Sequence, residues 1–273
     1  MNYDEGITVS DENNQITIDD VKTLFALHGK NAGCSLKLQG KVVLIAFLIN
    51  DGESSWDSAS EKAVIEMLES ASLKLMTDSG LNKKQFQVAY AYCQVSVPYV
   101  VNRQTSHSCV FDVLRQFGYE NVQDYQRHYE KKFIRDETAI SFVFNKDFRS
   151  YAHSVDKART DYETECPNGD EYSMVSFQRG DLAGAERSFL HELMHQFGAI
   201  DYYYPEYLKF KAEKLLPGSI MNGGTIIDDL TRYIIGWDEK PSSKAVEFLN
   251  EIKSISAEEI EFALRQEWKK TDT

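Results

Sequence analysis

The hydrophobic positions of the chain change period several times, and each change predicts an element. Lys41 to Asn50 encloses the unbroken apolar run VVLIAFLI, which has strand length and the pattern of a strand covered on both faces. Val64, Met67, Leu68, Ala71 and Leu75 then recur at helical spacing behind a capping box read at Ser58 and Glu61, and Gly80 closes that segment. Phe86, Val88, Tyr90 and Tyr92 alternate as in a half-buried strand; the phase then slips to Val95 and Val97, which predicts a bulge near Cys93. Strand, helix, strand makes a crossover unit, so these two strands are expected to be parallel.

Helical period returns from Cys109 to Gln116 and from Val122 to Phe133, and residues 102–135 read as a helical insertion. Ala139 to Asn145 and Tyr172 to Gln178 are two further strands, separated by a loop that carries His153 and the turn signal Cys166-Pro167-Asn168-Gly169. Short helices are expected from Ile18 to Leu27, Thr225 to Trp237, Ser243 to Ile252 and Ser256 to Trp268, the last opened by Ser256 and Glu259. Three parts follow: an N-terminal segment over 1–40, a main domain over 41–240, and a helical tail over 241–273.

Composition narrows the function classes. Asp and Glu outnumber Lys and Arg by 43 to 30, a formal charge of -13, so nucleic acid and anionic membrane are poor partners. No apolar run reaches the length of a membrane span. The start, MNYDEGITVSDENNQ, has neither a basic nor an apolar region, and as written the chain is expected in the cytoplasm unless it leaves by a leaderless route or has lost a signal. Cys34, Cys93, Cys109 and Cys166 show no CxxC spacing and read as free thiols.

The chemistry concentrates in HELMHQFGAID, His191 to Asp201. Side chains four apart on a helix lie one above the other, so His191 and His195 can offer their imidazoles to one ion. Glu192 on the neighbouring flank can take a proton from water without being a ligand itself. Phe189, Leu190, Leu193, Met194 and Phe197 fall on the far side of the wheel, which would bury one face of the helix. Gly198 can take the positive φ that ends a helix, and Asp201 follows in time to close a third corner. His107 and His128 stand alone in sequence and read as structural. The stretch YYYPEYLKF after Asp201 either walls the cleft or packs, burial favouring the second.

HExxHxxGxx followed by a third ligand, with Ser219-Ile220-Met221-Asn222 after Pro217-Gly218, resembles the metzincin clan of zinc peptidases, in the branch similar to snapalysin that has Asp as third ligand. The resemblance implies an α+β fold: a twisted mixed sheet of about four to five strands with one antiparallel edge strand, a backing helix, an active-site helix, and a mainly helical part after the methionine turn. It implies one catalytic Zn²⁺ on His191, His195 and Asp201, Glu192 as general base, Met221 in the turn beneath the metal, and a peptide or protein as substrate. Tyr172, Met174 and Ser176 are expected at or near the substrate-pairing edge. The clan often has a tyrosine two residues after the methionine, where this chain has Gly223; Tyr233 is the candidate to replace it. Four alternatives stay open at this level: Glu213 as third ligand, an inactive binding module, a zinc hydrolase of a non-peptide amide, and latency through Cys34 or Asp4.

Overall fold

The computed structural model describes residues 37–153, 171–178, 181–203 and 206–253. The expected helices at Ile18–Leu27 and Ser256–Trp268, and the latency candidates Cys34 and Asp4, lie outside the described residues. Strand β1 (Gly40–Asn50) is the central element. Its alternate side chains serve two different cores: Val42, Leu44, Ala46 and Leu48 face one, and Val43, Ile45, Phe47 and Ile49 face the other. That is why the run is apolar without interruption: a strand with both faces covered has no position to leave polar.

Helix α1 (Ser58–Asp78) crosses from β1 to β2 (Phe86–Ser96), which pairs parallel to β1 from Gly40↔Phe86 to Asn50↔Ser96. This register is continuous, so the expected bulge near Cys93 is absent. β2 is an edge strand among the described residues, with only Phe86 and Val95 buried, and on such a strand the apolar phase does not report register. The capping box of α1 is formed by Asp57 and Ser60, one residue earlier than the Ser58 and Glu61 expected. Asp57 is the residue with extended backbone (φ -89, ψ 171), and its carboxylate accepts from the Ser60 N–H.

Helices α2 (Ser106–Gln116) and α3 (Val122–Phe133) lead to β3 (Glu137–Phe144), which lies parallel to β1 on its other side. Cys109, Val110, Val113, Leu114, Val122 and Tyr125 form the second cover of the sheet, packed on Val43, Ile45, Phe47 and Ile140. The sheet is completed by β4 (Tyr151–His153) and β5 (Tyr172–Ser176), in the order β2-β1-β3-β5-β4, with only β4 antiparallel. The result is a mixed α/β fold with a five-stranded, mostly parallel sheet.

Helix α4 (Leu182–Gln196) packs on the same face as α1 through Ala185, Phe189, Leu190, Leu193 and Met194. Helix α5 (Glu206–Leu215), a 3₁₀ turn at Ile220–Asn222, α6 (Asp229–Ile234) and α7 (Ser243–Lys253) follow. The helix expected over Thr225–Trp237 is confined to α6, because Asp228 caps it by accepting from the N–H groups of Leu230 and Thr231. Among the described residues no helix is long and apolar enough to cross a membrane.

Candidate metal centre

Helix α4 is started by Asp181, whose carboxylate accepts from the Gly184 N–H. It is stopped by a Schellman turn. Gly198 has φ +91 and donates to the His195 carbonyl at 3.0 Å, while Ala199 donates to the Met194 carbonyl at 3.1 Å. Glycine is required there because a side chain pays for positive φ. Met194 and Ala199, the apolar pair that such a turn favours, are both fully buried in the same core.

The turn delivers two groups to the site. The Ala199 carbonyl accepts from His195 Nδ1 at 2.8 Å, and three residues after Gly198 the Asp201 carboxylate reaches the histidines. On the other imidazole, Nδ1 of His191 donates to the Ile220 carbonyl at 2.9 Å. A carbonyl can only accept, so each ring keeps a proton on Nδ1, and Nε2 is the nitrogen turned inward, where an ion can replace any proton it carries. The Ile220 carbonyl is held in place by the 3₁₀ turn: Ser219 Oγ accepts from the Met221 N–H at 3.1 Å and donates to the buried Asp228 carboxylate at 2.6 Å. Gly224 permits the tightness of this loop, since a Cβ on it would lie 2.0 Å from the Gly218 carbonyl oxygen.

The three inward atoms form a nearly equilateral triangle. Nε2 of His191 and Nε2 of His195 are 3.2 Å apart, and Asp201 Oδ1 is 3.1 Å from the first and 3.3 Å from the second. Nitrogen and oxygen ligands about 2.0–2.1 Å from a tetrahedral ion stand about 3.3 Å from one another. The donor set therefore fits a divalent ion in size, in chemistry and in the tautomer its outer hydrogen bonds impose. The side chains of the two histidines are 14% and 13% exposed and that of Asp201 31%, while the Oδ1 atom that completes the triangle is itself buried.

The electrostatics reveal the same demand for a cation. Burial works against a charged His195, yet the Asp201 carboxylate, through charge and hydrogen bond, carries its pKa up to about 9. Burial likewise opposes the Asp201 anion, and the two imidazoles overcome it and hold that carboxyl well below the usual range. Glu192 is 6% exposed, and its ligand-type oxygen lies within 4.8 Å of the histidine nitrogens. Burial raises its pKa, with His191 and His195 acting against that rise, Asp201 adding to it and the Arg149 guanidinium opposing it.

Of the residues singled out by sequence, the structure brings together His191, Glu192, His195 and Asp201, with Gly198 in the turn between them. Met221 is fully buried in the 3₁₀ turn, and its carbonyl accepts from the Tyr202 N–H at 2.9 Å. Glu213 is exposed on α5. Tyr172, Met174 and Ser176 are buried, because β5 lies next to the edge rather than at it, with β4 the outermost strand among the described residues. Tyr233 is buried on α6, 6% exposed. His107 is not isolated: its Nδ1 is 3.0 Å from the Tyr172 hydroxyl and its ring 5.7 Å from that of His153.

Sequence reasoning missed two neighbours of the site. Tyr203 lies over His191, rings 6.4 Å apart and 17° from parallel, with its hydroxyl hydrogen-bonded to Asp201. Arg149, exposed two residues before β4, is the cation whose field reaches Glu192 and Tyr203. Tyr202, between Asp201 and Tyr203, packs instead, its hydroxyl 3.0 Å from Thr231 Oγ1 and its ring 5.0 Å from Phe248.

No model of a known protein family matches the chain, and no curated protein matches it. Among solved structures it is similar to the archaemetzincin of Methanopyrus kandleri, with 14% identity, a TM-score of 0.31, and coverage of 79% of this chain and 96% of that one. So slight a likeness adds no weight, and the functional reading rests on the site.

Proposed function

We propose that the protein is a zinc-dependent endopeptidase of metzincin type, with His191, His195 and Asp201 as metal ligands and Glu192 as general base. The observation that carries this reading is the 3.1, 3.2 and 3.3 Å triangle of two imidazole nitrogens and a carboxylate oxygen. A bound zinc ion supplies Lewis acidity, lowering the pKa of a water molecule and polarising a carbonyl. The chain's own groups do the rest. The Ile220 and Ala199 carbonyls fix the tautomer and orientation of the ligand rings. Glu192, whose pKa burial raises above its ordinary value, accepts the proton from water and returns it to the leaving amine.

An extended peptide has a place to lie along β4, which among the described residues has a strand on one side only. Pairing there would hold backbone and read little sequence. Met221 at the heart of the 3₁₀ turn supports the resemblance to the methionine turn, and Asp201 in place of a third histidine supports the variant similar to snapalysin.

The test is metal content by mass spectrometry, paired with cleavage of a peptide library, on the wild type and on Glu192→Ala. One zinc per chain in both, with cleavage lost in the variant, is the expected result. A wild type that binds no metal, or a variant that cleaves as fast as the wild type, overturns the reading.

A further inference from the structure

Tyr203 occupies a position at the centre that the proposed chemistry leaves unused. The backbone leading to it is fixed, because the Tyr202 N–H is tied to the Met221 carbonyl at 2.9 Å and the Tyr202 ring is locked between Thr231 and Phe248. From that anchor Tyr203 meets two ligands at once, its ring lying nearly parallel over His191 at 6.4 Å and its hydroxyl bonded to the Asp201 carboxylate. A phenol is well suited to this role. It presents a flat apolar face to an imidazole and a single donor to a carboxylate.

The need for such a contact comes from Asp201 itself. The two imidazoles are each fixed by an Nδ1–H bond to a carbonyl. A carboxylate has no second nitrogen to tether, and it can swing about its side-chain bonds or offer an ion either oxygen or both. Oδ1 nevertheless stands within 0.2 Å of equal distance from the two Nε2 atoms, at 3.1 and 3.3 Å. We propose that Tyr203 is the positioning residue for the third ligand, its hydroxyl fixing the rotation of the Asp201 carboxylate so that Oδ1 completes the triangle. The inference rests on the reading of this cluster as a metal centre. It extends that reading by giving the carboxylate ligand the outer hydrogen bond that the histidines obtain from the backbone.

The experiment is a zinc dissociation constant for the full chain, measured by competition with a chromophoric chelator. Four proteins are compared: wild type, Tyr203→Phe, Asp201→Ala and the double variant. Phenylalanine keeps the ring over His191 and removes only the hydroxyl. Outer-shell partners of metal ligands are generally worth about 10–100-fold in affinity, so Tyr203→Phe should weaken zinc binding by about that factor. In the Asp201→Ala background, with no carboxylate left to orient, the same substitution should change affinity less than twofold. A Tyr203→Phe protein that binds zinc within twofold of the wild type overturns the inference. So does an equal loss in both backgrounds, which would put the effect on His191 or on packing. A wild type that binds no zinc removes the metal-centre reading itself, whereas normal wild-type binding with an unaffected Tyr203→Phe removes this inference alone.

Discussion

Gln196 gives the sharpest test of how the site is attached to the sheet. It follows the second histidine, is 1% exposed, and reaches across to β3. Its Oε1 accepts from the Ile140 N–H at 3.2 Å, and its Nε2 donates to the Ile140 carbonyl and to Ser173 Oγ, both at 3.2 Å. The β3–β5 pairing begins at Ser141↔Ser173, so Ile140 lies just before the ladder and its two backbone groups are satisfied by a side chain from α4. Replacing Gln196 with Met keeps most of the volume and strands both groups in the core. Ser173 Oγ retains its 2.7 Å bond to Ser141 Oγ, so the loss is confined to Ile140. Each orphaned buried group costs about 1–3 kcal/mol, so the pair is expected to cost about 2–6 kcal/mol. The assay is urea unfolding of metal-free protein in EDTA, followed by tryptophan fluorescence and extrapolated linearly. Gln196→Met and Gln196→Ala should fall in that range, the alanine variant lower by its cavity. A loss below about 0.5 kcal/mol in both would refute the claim that this amide pins the active-site helix to the sheet.

Gly198→Ala should destabilise by about 1–2 kcal/mol, because φ +91 is a left-handed conformation that a Cβ resists; an unchanged urea midpoint would contradict the Schellman stop. Glu137 should limit stability at alkaline pH. Burial first, then the charges of Glu130, Glu171 and Asp136, raise its pKa from 4.5 to about 7. A carboxyl raised on folding gives stability that is complete below pH 4.5 and lost as pH rises through about 7. That gap is worth about 3 kcal/mol for a dry group and, with the carboxyl part-exposed, about 1–2 kcal/mol. Glu137→Gln should therefore stabilise by that amount at pH 8 and by nothing near pH 4, as read in unfolding midpoints; equal effects at both would exclude the linkage. Asp201→His exchanges an anionic ligand for a neutral one and should move the acidic limb of the pH–rate profile to lower pH, so an unmoved limb would count against Asp201 as a ligand.

The elements that depend on one strong local pattern were legible in the sequence. The apolar run of β1 announced a strand covered on both faces, and His191, His195, Gly198 and Asp201 announced their own geometry, since helical spacing and a positive φ are local properties. What escaped depends on neighbours distant in the chain. β4 is only Tyr-Ala-His, too short to show alternation, so the sequence places β5 at or near the edge without showing the strand that lies outside it. The two possible capping boxes of α1 differ by one residue, and only the backbone of Asp57 decides between them. The packing of residues 102–135 on the sheet is not legible because their apolar face has no visible partner until β1 and β3 are laid side by side. Tyr203 is one of three consecutive tyrosines, and nothing local separates Tyr202, which packs, from Tyr203, which meets the ligands. That choice is made by the bond between Tyr202 and Met221.

The most direct measurement is X-ray absorption at the zinc edge of protein loaded with one equivalent of metal. Two imidazole nitrogens at about 2.0–2.1 Å, with carboxylate and solvent oxygen at about 2.0–2.2 Å and no sulfur, is the coordination that His191, His195 and Asp201 predict. A sulfur shell near 2.3 Å, or imidazole scattering that survives unchanged in a His191→Ala, His195→Ala double variant, would contradict it.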